Sequence, residues 1–590
     1  MATTDNKVNL QPGQPKPASM TGGPTYPNQV TGMEILARSL KAVGLDTMYG
    51  LVGIPVTDVA YLAQREGIRF VGFRHEQSAG MAAATHGYLK GTPGVLLTVS
   101  SLGFLNGLTA TTNATVNCYP MIQISGSSSR APIDLDQGTY EGLDQFNVAK
   151  GLVKAAYRVN RAEDIPVGVT RAYRAAISGR PGGVYLDLVE GALAGVVDSD
   201  VADKLVAEMV PVDVCPSVIP SPESVDRALK LLASAKRPVF LLGKGAAYAK
   251  VEDKLKELVE KTGIPYYSMS MAKGLLPDKS PMSAQAARSM FMEQSDVVVL
   301  IGARLNWLLS RGHGKWNPNG KFIQLDIEPT EIDCNRHIDA PVIGDLASSL
   351  DAILAKLPDY KMSVDPEWVP AIQKLTAEKD ASFAKKLAPQ TVPMTHWSAL
   401  SAAKKVLEAN PDVILVNEGA NTLDDTRDAI DMSLPRHRID CATWAIMGMG
   451  MGSVIGAAVA TGKSVVAIEG DSAFGFSGME IETICRFKLP ATICIFNNGG
   501  IYNGIGVNLS KDSDPAPTTL DVRARYDLMG QAFGAKTYYV TTPDEFGAAL
   551  KEAIASKAPA LIDVQLAADS GKESGHIGYL NPPSLIEIEV

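Results

Sequence analysis

Short runs of wholly apolar residues recur along this chain, each breaking at a glycine or a polar turn. VFLL at 239–242, VVVLI at 297–301, VVAI at 465–468 and ICIF at 493–496 are examples. A run this short that is apolar at every position reads as a strand buried on both faces of a parallel sheet. Parallel neighbours need crossover connections, and helix-length segments separate the runs, so the fold class is α/β with doubly wound parallel sheets. None of the runs approaches the roughly 20 apolar residues of a membrane-spanning helix.

The pattern restarts twice. Residues 31–197 alternate helix and strand (MEILARSLKAV, TMYGLV, RFVGF, VLLTVS, PMIQIS), and a stretch with Pro211, Pro216, Pro220 and Pro222 reads as a linker after Asp198. A second unit spans 223–357 (PVFLLG, DVVVLIGA, KFIQLDI) and a third spans 391–568 (VILVN, SVVAIEG, ATICIFNN, PALIDVQL). Residues 1–30 read as a disordered leader without the apolar core of a signal peptide. Residues 569–590 are loop-like. Three domains suit a chain of 590 residues. A net charge of −9 with no basic run argues against nucleic acid as a partner. The six cysteines lack CxxC spacing, which fits reduced thiols in the cytoplasm.

The third unit carries the strongest chemical signal. The strand SVVAIEG delivers Gly470-Asp471-Ser472, and ATICIF delivers Asn497-Asn498-Gly499-Gly500. Asp471 and Asn498 stand 27 residues apart, room for a crossover helix read over 477–487. They thus meet at the carboxyl edge of the sheet, where such folds bind ligands. A carboxylate and a carboxamide are hard oxygen ligands suited to Mg²⁺, which completes its shell with water and diphosphate. The flanking glycines let backbone amides approach phosphates. Two ordinary strand-end turns that contain Asp and Asn are the alternative.

In the middle unit, GKGAAY (243–248) follows a strand, Asp326 ends another, and Asp345 follows Gly344. A nucleotide-sized crevice would use Asp326 and Asp345 for ribose or adenine and Lys244 for phosphate. Glycine-rich turns of this kind also occur without ligands. In the first unit, RFVGF runs into Arg74-His75-Glu76-Gln77, and Glu76 opens the small-residue helix AGMAAATHGYL. By itself a carboxylate there is an ordinary helix cap.

Together, the HEQ turn before a small-residue helix and the GDS and NNGG turns resemble the thiamine-diphosphate-dependent enzymes from about Thr31 to the end. That resemblance implies a pyrimidine-binding domain first, a central nucleotide-binding domain and a diphosphate-binding domain last. It implies a cofactor shared between subunits, with Glu76 of one chain meeting the aminopyrimidine of a cofactor whose Mg²⁺ is held by Asp471, Asn498 and Gly500 of another. The assembly would be at least a dimer, and a tetramer is expected. Within Cys441 to Gly448, Met447 would wedge the cofactor into its bent shape and the Ala445 carbonyl would receive its amino group. Met447 serves equally well as plain core. Ile54, Ala420, Asn421, Thr422, Ser472, Ala473 and Tyr502 are the other cofactor contacts implied.

Longer segments are similar to the oxalyl-CoA decarboxylases: 49–58, 100–117, 137–147, 416–428, 469–487, 496–502 and 573–577. The neighbouring 2-hydroxyacyl-CoA lyases are expected to carry Phe-Gln in place of Tyr140-Glu141 and Asn-Asn-Asn in place of Asn497-Asn498-Gly499. The implied reaction turns oxalyl-CoA into formyl-CoA and CO₂, with a lyase or a formyl-CoA-using carboligase as the alternative. Tyr140, Glu141, Tyr502 and Ser574 would surround the reacting carbons, and Arg427, Glu573, Ser574 and Gly575 would contact CoA. The tail from 569 would close over it. ADP is implied as an activator in the middle unit, with Arg180 and Arg304 added to its contacts. The chain departs from the family pattern at Ser101-Leu102, Ala442, Ala445, His396 and Asn503, which bears on the preferred substrate.

Overall fold

A computed structural model describes residues 28–213, 215–441, 443–502, 515–521 and 524–571. The leader up to residue 27, Ala442, Asn503 and the tail from 572, with Glu573, Ser574 and Gly575, lie outside the described residues.

Three parallel sheets form in succession, each flanked by helices. In the first, the spatial order is Arg69–Gly72, Thr47–Gly50, Gly94–Thr98, Met121–Ser127, Gly183–Val189, Ala155–Val159. In the third it is Arg438–Ile439, Ile414–Glu418, Val465–Gly470, Ala491–Asn497, Ala560–Gln565, Lys536–Val540. Numbered within each unit, both sheets run 2-1-3-4-6-5, so the two outer units share a topology that their sequences do not reveal. The middle sheet runs Tyr266–Ser268, Pro238–Leu242, Val297–Ile301, Lys321–Asp326, Ala340–Ile343, the order 2-1-3-4-5.

This order explains the location of the sites. Between strands 1 and 3 of each unit the crossovers leave toward opposite faces, which opens a crevice at the carboxyl ends of those strands. In the third unit the crevice lies between Glu418 and Gly470, and in the middle unit between Leu242 and Ile301.

The long apolar strands were legible because they are buried throughout, as in Val297–Ile301 and Ala491–Asn497. Three expectations need correction. The linker after Asp198 contains the helix Ser199–Glu208, which keeps only Ala202 buried. The crossover helix read over 477–487 is two helices, Asp471–Ser477 and Glu480–Arg486, separated at Gly478 and Met479. The strand Gln29–Thr31 begins within the stretch read as leader and pairs antiparallel with Val196–Asp198, joining the two ends of the first unit.

The outer units meet along the helices Glu76–Lys90 and Met449–Thr461. Both are rich in small residues. A side chain at Gly452 or Gly456 would collide with the backbone of Ser78 or Ala82, so these glycines set the close approach. Ala79, Ala82, Ala83, Met451, Val454 and Ile455 share one core there, and Thr85 Oγ1 donates to Ser453 Oγ at 3.1 Å.

Candidate active site

At the crevice of the third unit, Asp471 follows the strand Val465–Gly470 and is 2% exposed. Its Oδ2 accepts from the amides of Gly499 (2.8 Å) and Gly500 (3.0 Å), and its Oδ1 from that of Ser472 (2.7 Å). Burial pushes this carboxyl up to about 6 against the pull of those amides. No lysine, arginine or histidine among the described residues forms an ion pair with it. Asn498 is buried beside it and donates its amide nitrogen to the Tyr502 carbonyl (3.0 Å), as does Asn421 (3.3 Å). That leaves the Asn498 carboxamide oxygen as the atom of this side chain that could hold a cation. Gly499 and Tyr502 take left-handed backbone conformations (φ 80° and 54°), which fold the loop back over Asp471. Among the described residues no three His, Cys, Asp or Glu side chains cluster as metal ligands; this loop offers one carboxylate, one carboxamide and backbone carbonyls.

Residues 443–448 run beside the same crevice, where Thr443, Ala445, Ile446 and Met447 share a cavity wall with Glu418, Gly419 and Ala420. Ser472 Oγ lies 4.0 Å from the Met447 sulfur, and Ala473 is buried behind it. Three side chains not anticipated from sequence hold this segment. Glu418 accepts from the amides of Gly448, Met449 (3.1 Å) and Gly450 (2.7 Å), capping the helix that follows Met447. Asn117, at the end of the helix Leu102–Asn117, accepts from the amides of Thr443 (3.0 Å) and Trp444 (3.1 Å) and donates to the Trp444 carbonyl (3.1 Å). Asn113 donates to that same carbonyl at 3.0 Å. Burial raises the Glu418 carboxyl to about 7, and the adjacent Glu469, buried with it, is driven well above the usual range by burial and by Glu418. Thr422 donates to the Glu418 carbonyl, anchoring the turn at Gly419 (φ 97°) that starts the helix Ala420–Ala429.

Glu76 begins its helix as expected, with His75 as the cap residue accepting from the Gln77 amide (3.2 Å). Asn106 Nδ2 donates to Glu76 Oε2 at 3.0 Å. Glu141, in a left-handed conformation (φ 47°), accepts from Ser100 Oγ at 2.6 Å, and its carboxylate raises the neighbouring Tyr140 hydroxyl. Glu76 and Glu141 therefore flank the turn that opens the helix Leu102–Asn117. Ile54 and Tyr140 stand 69% and 65% exposed at this edge. The first and third units touch here: Gln77 Nε2 donates to the Met447 carbonyl at 3.3 Å. His396 is buried and accordingly lowered to about 4; its ring and its amide both bind Ser570 Oγ (2.9 and 2.8 Å), fixing the root of the tail.

A cavity of about 1350 Å³ occupies the middle crevice and extends to the third unit. Arg180, Lys244, Arg304, Asp326 and Asp345 all line it, and so do Arg427, Ala420, Ala445 and Met447. Glu76, Tyr140, Glu141, Asp471 and Asn498 lie outside it. Arg180 pairs with Glu331 at 2.9 Å, and the buried Asp326 accepts from the Glu328 amide at 3.0 Å. Asp345 accepts from the Val218 amide, and Arg304 donates to the Val116 carbonyl at 3.2 Å. The Lys244 ammonium donates to the Asn117 carbonyl and sits 4.3 Å from the centre of the Tyr119 ring; burial lowers it to about 8. It thus braces Asn117 as well as facing the cavity. Arg427 pairs with Asp424 at 2.8 Å.

Residues 30–148 match the thiamine pyrophosphate enzyme N-terminal TPP binding domain, 225–353 the central domain, and 423–564 the C-terminal TPP binding domain. An oxalyl-CoA decarboxylase of Escherichia coli (strain K12) is 54% identical over 551 residues, covering 93% of this chain and 97% of that protein. A 2-hydroxyacyl-CoA lyase of Arabidopsis thaliana is 40% identical (94% and 99% covered), and 2-hydroxyacyl-CoA lyase 1 of Homo sapiens is 34% identical (94% and 97%). The matched domains fall on the three sheets in turn, and the chain belongs to the thiamine pyrophosphate enzyme family.

Proposed function

We propose that this chain decarboxylates oxalyl-CoA to formyl-CoA and CO₂ using thiamine diphosphate and Mg²⁺. The observation that carries the cofactor reading is Asp471, a buried carboxylate that no cationic side chain among the described residues pairs with, and that has its loop's oxygens around it. A divalent cation would balance that carboxylate, with Asp471 Oδ, Asn498 Oδ1 and the Gly500 carbonyl as the atoms that would hold it. Similarity favours the decarboxylase: identity falls from 54% to an oxalyl-CoA decarboxylase to 40% for a 2-hydroxyacyl-CoA lyase.

Thiamine diphosphate, when bound, supplies the attacking carbon and the electron sink for the departing carboxylate. Glu76 holds a proton against the far nitrogen of the pyrimidine, and Asn106 keeps that carboxylate in place. The Ala445 carbonyl would accept from the cofactor's amino group, and Met447, which lines the same cavity, would pack against the cofactor. Ile54, Ala420, Asn421, Thr422, Ser472, Ala473 and Tyr502 complete the cofactor's surroundings. Tyr140, Glu141 and Tyr502, with Ser574 from the tail, orient the substrate carbons and shield them from water. Arg427, with Glu573 to Gly575, contacts CoA. The exposure of Ile54, Tyr140, Trp444 and Phe476, and the position of Glu76 and Asp471 outside the shared cavity, support completion of each site by a second copy of the chain in a dimer or tetramer. ADP binds in the middle crevice as an activator, through Asp326 and Asp345 on its ribose or adenine and Arg180, Arg304 and Lys244 on its phosphates. Its six free cysteines suit a cytoplasmic protein.

Incubating purified protein, thiamine diphosphate and Mg²⁺ with oxalyl-CoA and separately with a 2-hydroxyacyl-CoA, and identifying products by mass, tests the assignment. Formyl-CoA from oxalyl-CoA alone is expected. Conversion of the 2-hydroxyacyl-CoA only would assign the chain to the lyases.

A further inference from the structure

Glu480 opens the helix Glu480–Arg486 of the third unit, yet its carboxylate serves the first unit. It accepts from the backbone amide of Arg74 at 3.1 Å (Oε1) and 3.3 Å (Oε2) and from that of His75 at 3.0 Å (Oε1). Thr483 Oγ1 donates to Oε2 at 2.7 Å and fixes the carboxylate's orientation. Arg486 Nη2 adds a bond to the Gly72 carbonyl at 2.7 Å. The turn grasped in this way is the one that ends in Glu76. A buried carboxylate, 1% exposed, would otherwise be a costly choice at this position. Two amides, a hydroxyl and the Arg486 charge are the groups that offset its burial, which still raises it to about 7.

We propose that Glu480 is a positioning residue for Glu76: by holding the Arg74 and His75 amides it fixes the direction in which the helix Glu76–Lys90 starts, and with it the reach of the Glu76 carboxylate. The inference rests on the role given above to Glu76. It also means that one short segment, Asp471 to Arg486, carries the proposed metal ligand at one end and the support of the proton-holding carboxylate at the other.

The test uses the full chain loaded with thiamine diphosphate and Mg²⁺. Glu480→Ala is expected to lower kcat on oxalyl-CoA about 10- to 100-fold, the effect of a small displacement of a reacting group. KM for oxalyl-CoA and affinity for thiamine diphosphate should stay within about twofold, because neither contact set includes Glu480. The near-ultraviolet circular-dichroism bands that distinguish the bound pyrimidine's amino and imino forms should weaken. Glu480→Gln, whose carboxamide oxygen still accepts from both amides, should recover kcat and bands. Should Glu480→Ala fail to fold, Thr483→Val removes the orienting hydroxyl and should lower kcat about threefold in the same manner. Parental kcat and bands in Glu480→Ala, or in Thr483→Val if the alanine variant does not fold, overturn the proposal. So does a glutamine variant no better than alanine, or a loss of cofactor affinity in parallel with kcat. The bands are read before substrate is added. A protein whose bands change as expected but which leaves oxalyl-CoA intact therefore contradicts the substrate assignment and upholds the role of Glu480.

Discussion

Replacing Asn117 with alanine should loosen the cofactor-facing segment without touching any residue assigned to chemistry. Asn117 is almost fully buried, and its carboxamide meets the backbone of Thr443 and Trp444 through three bonds of 3.0 to 3.1 Å. The alanine variant leaves two amides without their acceptor, and each such loss costs about 1 to 3 kcal/mol. Asn113 still satisfies the Trp444 carbonyl, so only the amides enter the sum, about 2 to 6 kcal/mol for the pair. The segment relaxes in the free protein and must be ordered again on binding. If about 1.4 kcal/mol or more of that loss falls on the binding step, thiamine diphosphate affinity drops at least about tenfold. Isothermal titration with thiamine diphosphate at saturating Mg²⁺ measures this directly. Asn113→Ala, which removes a bond that Asn117 duplicates, should weaken binding only about threefold. An Asn117→Ala protein that folds and binds within about twofold of the parent would refute the claim that this side chain holds the cofactor segment.

Three further outcomes are expected. Asp471→Ala should weaken retention of Mg²⁺ and thiamine diphosphate by removing the anionic ligand, read as cofactor lost on dialysis. ADP at millimolar concentration should raise the melting temperature by binding the folded state, and Asp326→Asn, which keeps an acceptor for the Glu328 amide, should remove that response. The Glu480 carboxyl is raised in the folded protein to about 7 from an ordinary 4.5. Its stabilising contribution is therefore fully present below about pH 4.5 and lost as pH rises through about 7. The stability advantage of the parent over Glu480→Gln should accordingly shrink by about 3 kcal/mol across that window, at about 1.4 kcal/mol per unit. Denaturant melts of the two proteins at pH 5 and pH 8 check it, and an advantage that grows with pH would contradict the burial of this group.

The sheets were legible because parallel strands are buried on both faces and so are written as unbroken apolar runs. Edge strands such as Ala155–Val159 and Lys536–Val540 leave no such mark in the sequence, because their residues are mostly half-exposed and form no unbroken apolar run. Asp471 and Asn498 stand out in the sequence because each lies where a strand ends, the position at which a doubly wound sheet presents groups to a ligand, whereas Glu76, by itself an ordinary helix cap, is singled out only by the resemblance to the family. The side chains that hold the site together left no comparable mark. Gln77 reaches Met447 across 370 residues, Asn117 reaches Thr443 across 326, and Glu480 reaches Arg74 across 406. Each binds backbone, which has no residue identity to read, so only the fold shows the pairing. Glu418 came closest to being visible, as a carboxylate ending the apolar strand ILVNE before a glycine. Lys244 was found as a cavity residue, but its brace on Asn117 was not, because that contact depends on how the middle and first units pack.

The central claim is that this chain removes the free carboxylate of oxalyl-CoA with the help of Glu76. Oxalyl-CoA labelled with ¹³C at that carboxylate, incubated with the protein, thiamine diphosphate and Mg²⁺ and followed by nuclear magnetic resonance, tests it most directly. Label should appear as CO₂ and bicarbonate in step with unlabelled formyl-CoA. Glu76→Gln, with cofactor still bound, should slow that release about 100- to 10,000-fold, the usual worth of a positioned acid–base group. Label that stays in the acyl group, or a Glu76→Gln protein that releases it at the parental rate, would contradict the account.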